Sequence, residues 1–198
     1  MTDRQDRSQN RIEKILEAAV EIFSRKGYRD SGVDDIVVES QTSKGGIYFH
    51  FPNKQAIFLT LLDRMANLLH SRAEEALNAE PDLLKKGDAL LLNMLKTFGS
   101  HRHLTQLFLV EALGAGHEFN DKIMELHGRF SALVQNYLDE LVRAGAVAPI
   151  NSQVASIAWF GAVNETVTRW VLTGQPANLE DAYPTLRLLL RRGVGLNS

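Results

Sequence analysis

Apolar residues recur at intervals of three and four along most of the chain, which is the spacing of a helix that buries one face. The first such run extends from Arg11 to Lys26. Asn10 can cap its start, and Gly27 can end it in the left-handed conformation. The strict alternation that marks a half-buried strand is not found in the sequence. The hydrophobic pattern therefore predicts an all-α protein.

Two short helices are predicted after the first one. Ser31 and Asp34 have the spacing of a capping box and lead into an apolar run of about two turns. Residues 41–43 interrupt the pattern before a second short segment, residues 44–51, which Pro52 ends. Helices of this size bury little surface alone, so the first helix must brace them. The three together form a predicted helix-turn-helix unit.

A much longer helix follows, capped by Asn53 and extending to about Leu77. Beyond Pro81 the pattern predicts five more helices, over about 83–98, 104–113, 118–144, 154–172 and 181–192. The predicted fold thus has about nine helices. An N-terminal three-helix domain, residues 1–53, is joined by the long helix to a C-terminal helical bundle, residues 54–198.

Charge and cysteine content narrow the function classes. The chain carries 22 Lys and Arg against 24 Asp and Glu, so any nucleic-acid site must be small and local. It contains no cysteine, which excludes disulfides and thiolate metal sites and makes a reducing cytoplasm the expected location. No stretch approaches the roughly 18 apolar residues of a membrane span, so no membrane partner is expected.

One segment of the predicted helix-turn-helix unit has the composition of a DNA-binding surface. Residues 40–57 include no acidic residue, and they contain basic and aromatic side chains. The start of a helix offers N–H groups and, here, a cation to a phosphate or a guanine edge. The candidate DNA-binding residues are Ser31, Thr42, Ser43, Lys44, Gly45, Gly46, Tyr48, Phe49, His50 and Lys54.

Several of these candidates also have a purely structural interpretation. Ser31 is a helix cap in either case, and Phe49 is equally suited to a thymine methyl group or to covering the domain surface. Gly45 and Gly46 cost a short helix about 1 kcal/mol each, which favours a close approach to a partner. Lys54 opposes the dipole of the helix that it begins, so its position favours a phosphate there.

Spaced features from the first helix to the fourth match a known family. They are Gly27-Tyr28, Val33-Asp34-Asp35-Ile36, Ser43-Lys44-Gly45, Ile47-Tyr48-Phe49-His50-Phe51 and Lys54. In these features the chain resembles the tetracycline-repressor (TetR) family of bacterial transcription regulators. The resemblance implies a ligand-responsive regulator, expected to be a repressor, that binds operator DNA as a homodimer and is released by a hydrophobic small molecule.

The chain departs from the family pattern at two positions. Gln41 stands in the turn where a glycine is usual, and Val37 stands where a small alanine is usual. Gln41 must either accept a left-handed conformation at a cost of about 1 kcal/mol or widen the turn. The sequence therefore does not determine the angle between the two short helices.

The resemblance implies a two-fold dimer formed by the last two helices. Small side chains on the helix over 154–172 allow close approach, and leucines form a stripe on the last helix. The candidate interface residues are Ala155, Ala158, Gly161, Ala162, Leu186, Leu189 and Leu190. The alternative is that these residues belong to the core of a single chain.

The helices between Pro81 and Val147 are not needed for such a dimer and are expected to enclose an effector. The expected lining is apolar with few polar groups: Met94, Phe98, Phe108, Met124, Phe130, Trp159, Asn164 and Trp170. The run Glu165-Thr166-Val167-Thr168 resembles family members that sense fatty acyl-CoA. Acyl-CoA is therefore one candidate effector, and another hydrophobic metabolite or toxic compound is the alternative.

No enzyme signature is present in the sequence. Nucleophile-elbow, phosphate-loop and dinucleotide-binding motifs are all missing, so neither catalysis nor a cofactor is expected. His101, His103 and His117 lack the spacing of metal ligands, so no metal is expected. The competing class is a helical lipid- or small-molecule-binding module that does not read DNA. The acid-free segment favours the regulator.

Overall fold

The computed structural model describes residues 2–196, and every regular element within that range is helical. The α-helices are α1 (Thr2–Lys26), α2 (Val33–Ser40), α3 (Lys44–His50), α4 (Lys54–Ala79), α5 (Leu83–Ser100), α6 (Arg102–Gln106), α7 (Ala112–Ala115), α8 (Asn120–Arg143), α9 (Ser152–Thr173) and α10 (Tyr183–Gly193). A π-helical segment, Leu107–Glu111, joins α6 to α7, and 3-10 turns cover His117–Phe119 and Leu179–Ala182.

The all-α prediction is confirmed. When α6, the π-helical segment and α7 are counted as one helix, the described residues form nine. Asn53 caps α4 as predicted, since its Oδ1 accepts the N–H of Ala56 at 2.8 Å. α1, however, begins at Thr2 and not at Arg11, so the predicted cap Asn10 lies inside the helix.

The start of α2 lies one residue later than the sequence predicts. Gly32 is the N-cap, and its N–H donates to Oδ2 of Asp35 at 2.9 Å. The hydroxyl of Ser31 instead donates to the carbonyl of Tyr28 at 2.8 Å. The predicted pairing of Ser31 with Asp34 is therefore wrong. An acid stands three residues after both candidate caps, and Gly32 is the one that adopts the extended cap conformation.

The chain packs as two compact units that do not follow the predicted boundary at residues 53 and 54. One comprises the residues up to Met65 together with His103–Asn120, and the other comprises Ala66–Arg102 together with the residues from Asp121 onward. The difference arises because the π-helical segment packs against α1. The assignment of 1–53 to DNA binding and 54–198 to ligand binding and dimerisation is functional, and it stays a prediction.

Aromatic rings form the centre of the N-terminal unit. The ring of Phe58 lies 5.5 Å from that of Phe23, 4.4 Å from that of Tyr28 and 5.3 Å from that of Phe119, measured between centroids. The contacts of Phe58 with Phe23 and Phe119 are edge-to-face, as is that of Tyr28 with Phe119, and aromatic quadrupoles favour this arrangement. Buried rings thus fix the end of α1, the turn after it and the start of α4 together.

The core of the C-terminal unit lies among α5, α8 and α9. A Cβ atom added at Gly87 would lie 2.8 Å from the ring of Tyr137, so glycine makes room on α5 for this ring of α8. Asp88 ties α5 to α10 through Arg187 at 2.8 Å and Arg191 at 3.2 Å. Within the described residues, no helix is both long and apolar enough to cross a membrane.

Candidate functional site

The turn between α2 and α3 holds the short helices in place. Gln41 has φ 52° and ψ 33°, so it accepts the left-handed conformation at about 1 kcal/mol and the turn is not widened. Ser43 caps α3, and its Oγ accepts the N–H of Gly46 at 3.1 Å. The hydroxyls of Ser40 and Thr42 are 2.7 Å apart, which ties Thr42 to the end of α2.

The two faces of α3 differ sharply in exposure. Ile47 is fully buried and anchors the helix in the N-terminal unit. Tyr48 is 45% exposed and Phe49 81% exposed, and His50 is half-buried with its ring 4.9 Å from that of Phe49. The ring of Phe49 therefore buries little of its apolar surface within the chain. The outer face of α3 thus presents a phenol, an apolar ring and an imidazole side by side.

Of the two glycines at the start of α3, only Gly46 is constrained by a contact within the described chain. A Cβ atom added at Gly45 meets nothing within 4 Å, and one at Gly46 would lie 3.1 Å from Oγ of Ser43. The outer side of this turn is therefore open to a partner that approaches the backbone closely.

The cations near α3 are paired with carboxylates of α2. Nζ of Lys44 lies 2.8 Å from Oδ1 of Asp34, and this hydrogen-bonded partner raises the pKa of Lys44. Nζ of Lys26 lies 2.6 Å from Oδ1 of Asp35, and this contact lowers the pKa of Asp35. The acid-free stretch is therefore faced by Asp34 of the preceding helix at Lys44.

Lys54 and Ser31, both predicted to contact a phosphate, make hydrogen bonds within the fold. Nζ of Lys54 donates to the carbonyls of Tyr28 at 2.7 Å, Ser31 at 2.8 Å and Arg29 at 3.3 Å, which uses all three of its N–H groups. Partial burial lowers the pKa of Lys54. Ser31 is 5% exposed, and its hydroxyl donates to a carbonyl. These contacts satisfy carbonyls of the turn after α1, and the phosphate contacts of Lys54 and Ser31 stay predictions.

Two residues that the sequence analysis missed form hydrogen bonds with the backbone at the end of α1 and in the turn that follows it. Oε2 of Glu111, in the π-helical segment, accepts the N–H of Tyr28 at 3.1 Å. Nε2 of Gln106 donates to the carbonyl of Ser24 at 3.0 Å. The partners are more than 80 positions apart in the chain, so no local pattern could have indicated them.

Most of the predicted effector lining is buried, but it is not all in one place. Five side chains are at most 6% exposed in the C-terminal unit, namely Met94, Phe98, Phe130, Trp159 and Trp170. Phe108 is also buried but belongs to the N-terminal unit. Met124 is 68% exposed, so its predicted place in the lining is corrected. Ile123 and Leu126 take the inward face of α8, which leaves Met124 outside.

Three buried polar atoms of the C-terminal unit have no hydrogen-bond partner within the described part of the chain. They are Oδ1 of Asn164, Nε1 of Trp170 and Nδ1 of His70. The guanidinium of Arg102 lies 4.9 Å from the centroid of the Trp170 ring and donates to the carbonyl of Val171 at 2.9 Å. Unsatisfied buried groups are expensive, so they mark places where a polar ligand atom is favoured.

A small cleft borders the predicted lining at Trp159. It lies between Gly87, Tyr137 and Arg191 and has an open volume of about 20 Å³. Such a volume holds about one water molecule, so a large effector requires the helices around it to move apart. Among the side chains that the structure describes, no three acidic or histidine residues converge in a group that could hold a metal ion.

The predicted dimer residues divide between surface and core. Ala158, Gly161, Ala162 and Leu189 are exposed, and Ala155 and Leu190 are half-buried. Leu186 is 6% exposed in a single chain, so its predicted place in the interface is corrected. The exposed face of α9 also carries apolar side chains that the sequence analysis missed: Val154, Ile157 and Leu172, each at least 56% exposed.

Comparisons with family models cover almost the whole chain. Residues 15–61 match the model described as bacterial regulatory proteins, tetR family. Residues 61–193 match the model described as YsiA-like protein, C-terminal region. The second match alone includes more than half of the 198 residues.

Individual proteins match over nearly their full lengths. The fatty acid metabolism regulator protein of Bacillus subtilis is 25% identical over 182 residues, 91% of this chain and 94% of that protein. The nucleoid occlusion factor SlmA of Vibrio atlanticus is 27% identical over 184 residues, 89% of this chain and 93% of that protein.

Solved structures share the fold. The fatty acid degradation regulator FadR from Bacillus halodurans aligns with a TM-score of 0.87 at 22% identity, over 94% of this chain and 97% of that one. FadR from Bacillus subtilis, solved in complex with stearoyl-CoA, aligns with a TM-score of 0.82 at 24% identity, over 94% and 99%.

Proposed function

This chain belongs to the tetR family of bacterial transcriptional regulators, and we propose that it reads a two-fold operator as a homodimer through α3 of each copy. The exposed face of α3, anchored by the buried Ile47, carries the proposal. The major groove is about 12 Å wide and admits one helix. A helix of seven residues supplies too few contacts alone, so a second copy is needed for specific binding.

Each exposed residue of α3 has a role that fits its chemistry. Ser43 and Lys44 are placed at the helix start to meet a phosphate or a guanine edge. Tyr48 and His50 offer a hydroxyl and an imidazole to phosphate oxygens. Phe49 is suited to a thymine methyl group, and its exposure favours this over a role in covering the domain.

The test begins with the operator itself. The protein is mixed with fragments of its own upstream DNA, and the retained fragments are sequenced and used in fluorescence anisotropy. Phe49→Ala and Tyr48→Ala should each weaken operator binding by about five- to a hundredfold with the fold intact. Arg72→Ala, an exposed substitution on α4 in the other unit, should leave binding unchanged. Equal affinities for all three variants would refute α3 as the reader.

The exposed apolar face of α9 supports the homodimer. Ile157 is 56% exposed beside the small residues Ala158, Gly161 and Ala162, so a second copy of the helix can approach closely. Ile157→Glu should give a monomer in sedimentation at micromolar concentration. Met124→Glu places the same charge on an equally exposed apolar position of α8 and should leave the dimer intact. A monomeric wild-type protein would refute the dimer.

We infer that the effector is largely apolar with one polar end, and that it binds in the C-terminal unit. The buried apolar side chains and the unpartnered atoms of Asn164 and Trp170 support this chemistry. The Bacillus subtilis FadR, which shares the fold, was solved in complex with stearoyl-CoA. Long-chain acyl-CoA is therefore the effector that we propose, with another hydrophobic metabolite or toxic compound as the alternative.

Release of DNA requires the effector to bind the DNA-incompetent state more tightly than the DNA-bound one. The protein–operator complex is therefore titrated with acyl-CoAs of increasing chain length, with free CoA and with lipophilic cations. Release by long-chain acyl-CoA, with no effect of free CoA, is expected. No release by any hydrophobic compound would refute the effector proposal but leave α3 as the reader.

The remaining features of the proposal follow from the family. We propose that the protein acts as a repressor, since its bound state blocks the operator until an effector releases it. Reading chromosomal DNA places a bacterial regulator in the cytoplasm. The Bacillus subtilis relative is named as a regulator and the Vibrio atlanticus relative as a nucleoid occlusion factor, and the proposal requires neither catalysis nor a cofactor.

A further inference from the structure

Three basic side chains, two at the end of α1 and one at the start of α3, are each paired with a different carboxylate of α2. Lys44 pairs with Asp34 at 2.8 Å, and Lys26 with Asp35 at 2.6 Å. Arg25 and Glu39 are 3.6 Å apart. A DNA-binding surface gains affinity for any duplex by placing cations on phosphates. Here the unit supplies its own counter-charges, so this sequence-independent affinity is reduced.

Asp34 differs from the other two acids of α2 in what it contacts. Asp35 also accepts the N–H of Gly32, so it is needed for the cap of α2. Glu39 pairs with α1. Within the described residues, Asp34 is the α2 carboxylate that pairs with the reading helix α3, and it is bonded to Lys44 through both of its oxygens.

We propose that Asp34 is a positioning residue that holds the ammonium of Lys44 as a fixed hydrogen-bond donor at the start of α3. This inference rests on the proposed role of α3 as the reader. A free lysine is a mobile point charge on a flexible stem, and it binds a phosphate of any sequence. Held by Asp34, Lys44 still has an N–H for a guanine edge, but the neutral pair has little attraction for phosphate.

The consequence is a gain in sequence discrimination. On a random duplex the held pair adds almost nothing to binding. On the operator the donor is already in place, so less side-chain freedom is lost on binding. Both side chains are more than half exposed, so the pair is weak enough for DNA binding to depend on it without the fold depending on it.

Asp34→Asn tests this inference because it removes the charge and keeps the shape. Affinity for a 30-base-pair duplex of random sequence should rise about two- to fivefold for each reading head, the range expected for an exposed ion pair. The slope of log K against log salt should steepen by about 0.9 for each head, as Lys44 gains a phosphate. Operator affinity should not rise, so the ratio of operator to random affinity should fall.

Three further variants separate positioning from general charge. Glu39→Gln gives the same change of charge on the same helix without freeing Lys44, and it should leave the ratio unchanged. Asp34→Glu keeps a carboxylate within reach of Lys44 and should restore the wild-type ratio. In a Lys44→Gln background, Asp34→Asn should no longer tighten binding to the random duplex beyond the effect of Glu39→Gln.

The outcomes distinguish this inference from the function on which it rests. If the wild-type protein binds operator and random duplex equally, α3 is not a specific reader and both proposals fail. If the wild-type protein prefers its operator but Asp34→Asn and Glu39→Gln change both affinities by the same factor, Asp34 is a surface charge only. The positioning role is then overturned, and the reader is retained.

Discussion

Replacing Lys54 by methionine separates a structural role from a DNA-binding role at the first residue of α4. The sequence favours a phosphate at this position, because a cation opposes the helix dipole. The structure instead directs the ammonium to the carbonyls of Tyr28, Arg29 and Ser31. Methionine has similar length and apolar volume but no N–H group. Lys54→Met therefore removes the bonds without opening a cavity.

The expected loss of stability follows from the three bonds. Those to Tyr28 and Ser31 are partly buried, at 2.7 and 2.8 Å, whereas the bond to Arg29 is exposed and longer, at 3.3 Å. Water can replace the exposed bond, and a hydrogen bond to a charged group contributes about 1.5–3 kcal/mol. Burial of the ammonium offsets part of this. The free energy of unfolding should fall by about 2–4 kcal/mol.

Urea unfolding and thermal melting measure this loss directly. A change of 2–4 kcal/mol in a chain of this size corresponds to a fall in Tm of about 5–15 °C. Lys44→Met makes the same substitution at an exposed lysine of the same unit and should leave the urea midpoint unchanged. If Lys54→Met unfolds at the wild-type midpoint but loses operator affinity and about 0.9 of salt slope per reading head, Lys54 binds phosphate. The structural role is then refuted.

Three further substitutions test other contacts. Glu111→Ala should lower the free energy of unfolding by about 1–3 kcal/mol, since the N–H of Tyr28 loses its acceptor. Glu111→Gln keeps an acceptor and should restore the stability. Equal stability of the two variants would contradict this role. Burial lowers the pKa of His127, so the free energy of unfolding should fall in urea titrations as the pH drops below about 6.5. If a His127→Gln variant loses as much stability over the same pH range, the loss has another cause. Gly87→Ala should lower the free energy of unfolding by about 1–3 kcal/mol, because the new methyl group meets the ring of Tyr137. Gly128→Ala, where a Cβ atom meets nothing within 4 Å, should raise it by up to about 1 kcal/mol. Similar melting temperatures of the two variants would contradict the close packing at Gly87.

The hydrophobic pattern predicts the helices well because each helix buries one continuous face. It does not fix the turn at Gln41, where comparison with the family pattern leaves a left-handed residue and a widened turn as alternatives and the structure shows the first. Errors arise where two registers compete. Ser31 and Gly32 both precede an acid by three residues, and Met124 stands next to the buried Ile123 on α8. A spacing rule cannot decide such cases without the packing of the neighbouring helix.

The hydrophobic pattern does not indicate which distant parts of the chain are in contact. Glu111 reaches Tyr28 from the π-helical segment, 83 positions later in the chain. The ring of Phe119 packs on that of Phe58 in the same unit. These contacts explain why the packing boundary differs from the predicted boundary after residue 53. A single sequence shows which residues favour burial, but not which of them meet.

In the N-terminal unit, the positions of the charged side chains say more about DNA binding than their numbers do. Composition gives no basic excess that would suggest DNA, and the acid-free stretch after Ser40 suggests several free cations. The arrangement places Asp34 on Lys44, carbonyls on Lys54 and Asp35 on Lys26. Lys26, Lys44 and Lys54 are therefore less available to release counterions, so base-edge and methyl contacts from the exposed face of α3 must supply a larger share of operator affinity. A salt slope well below that of a broadly basic DNA-binding domain follows from this arrangement.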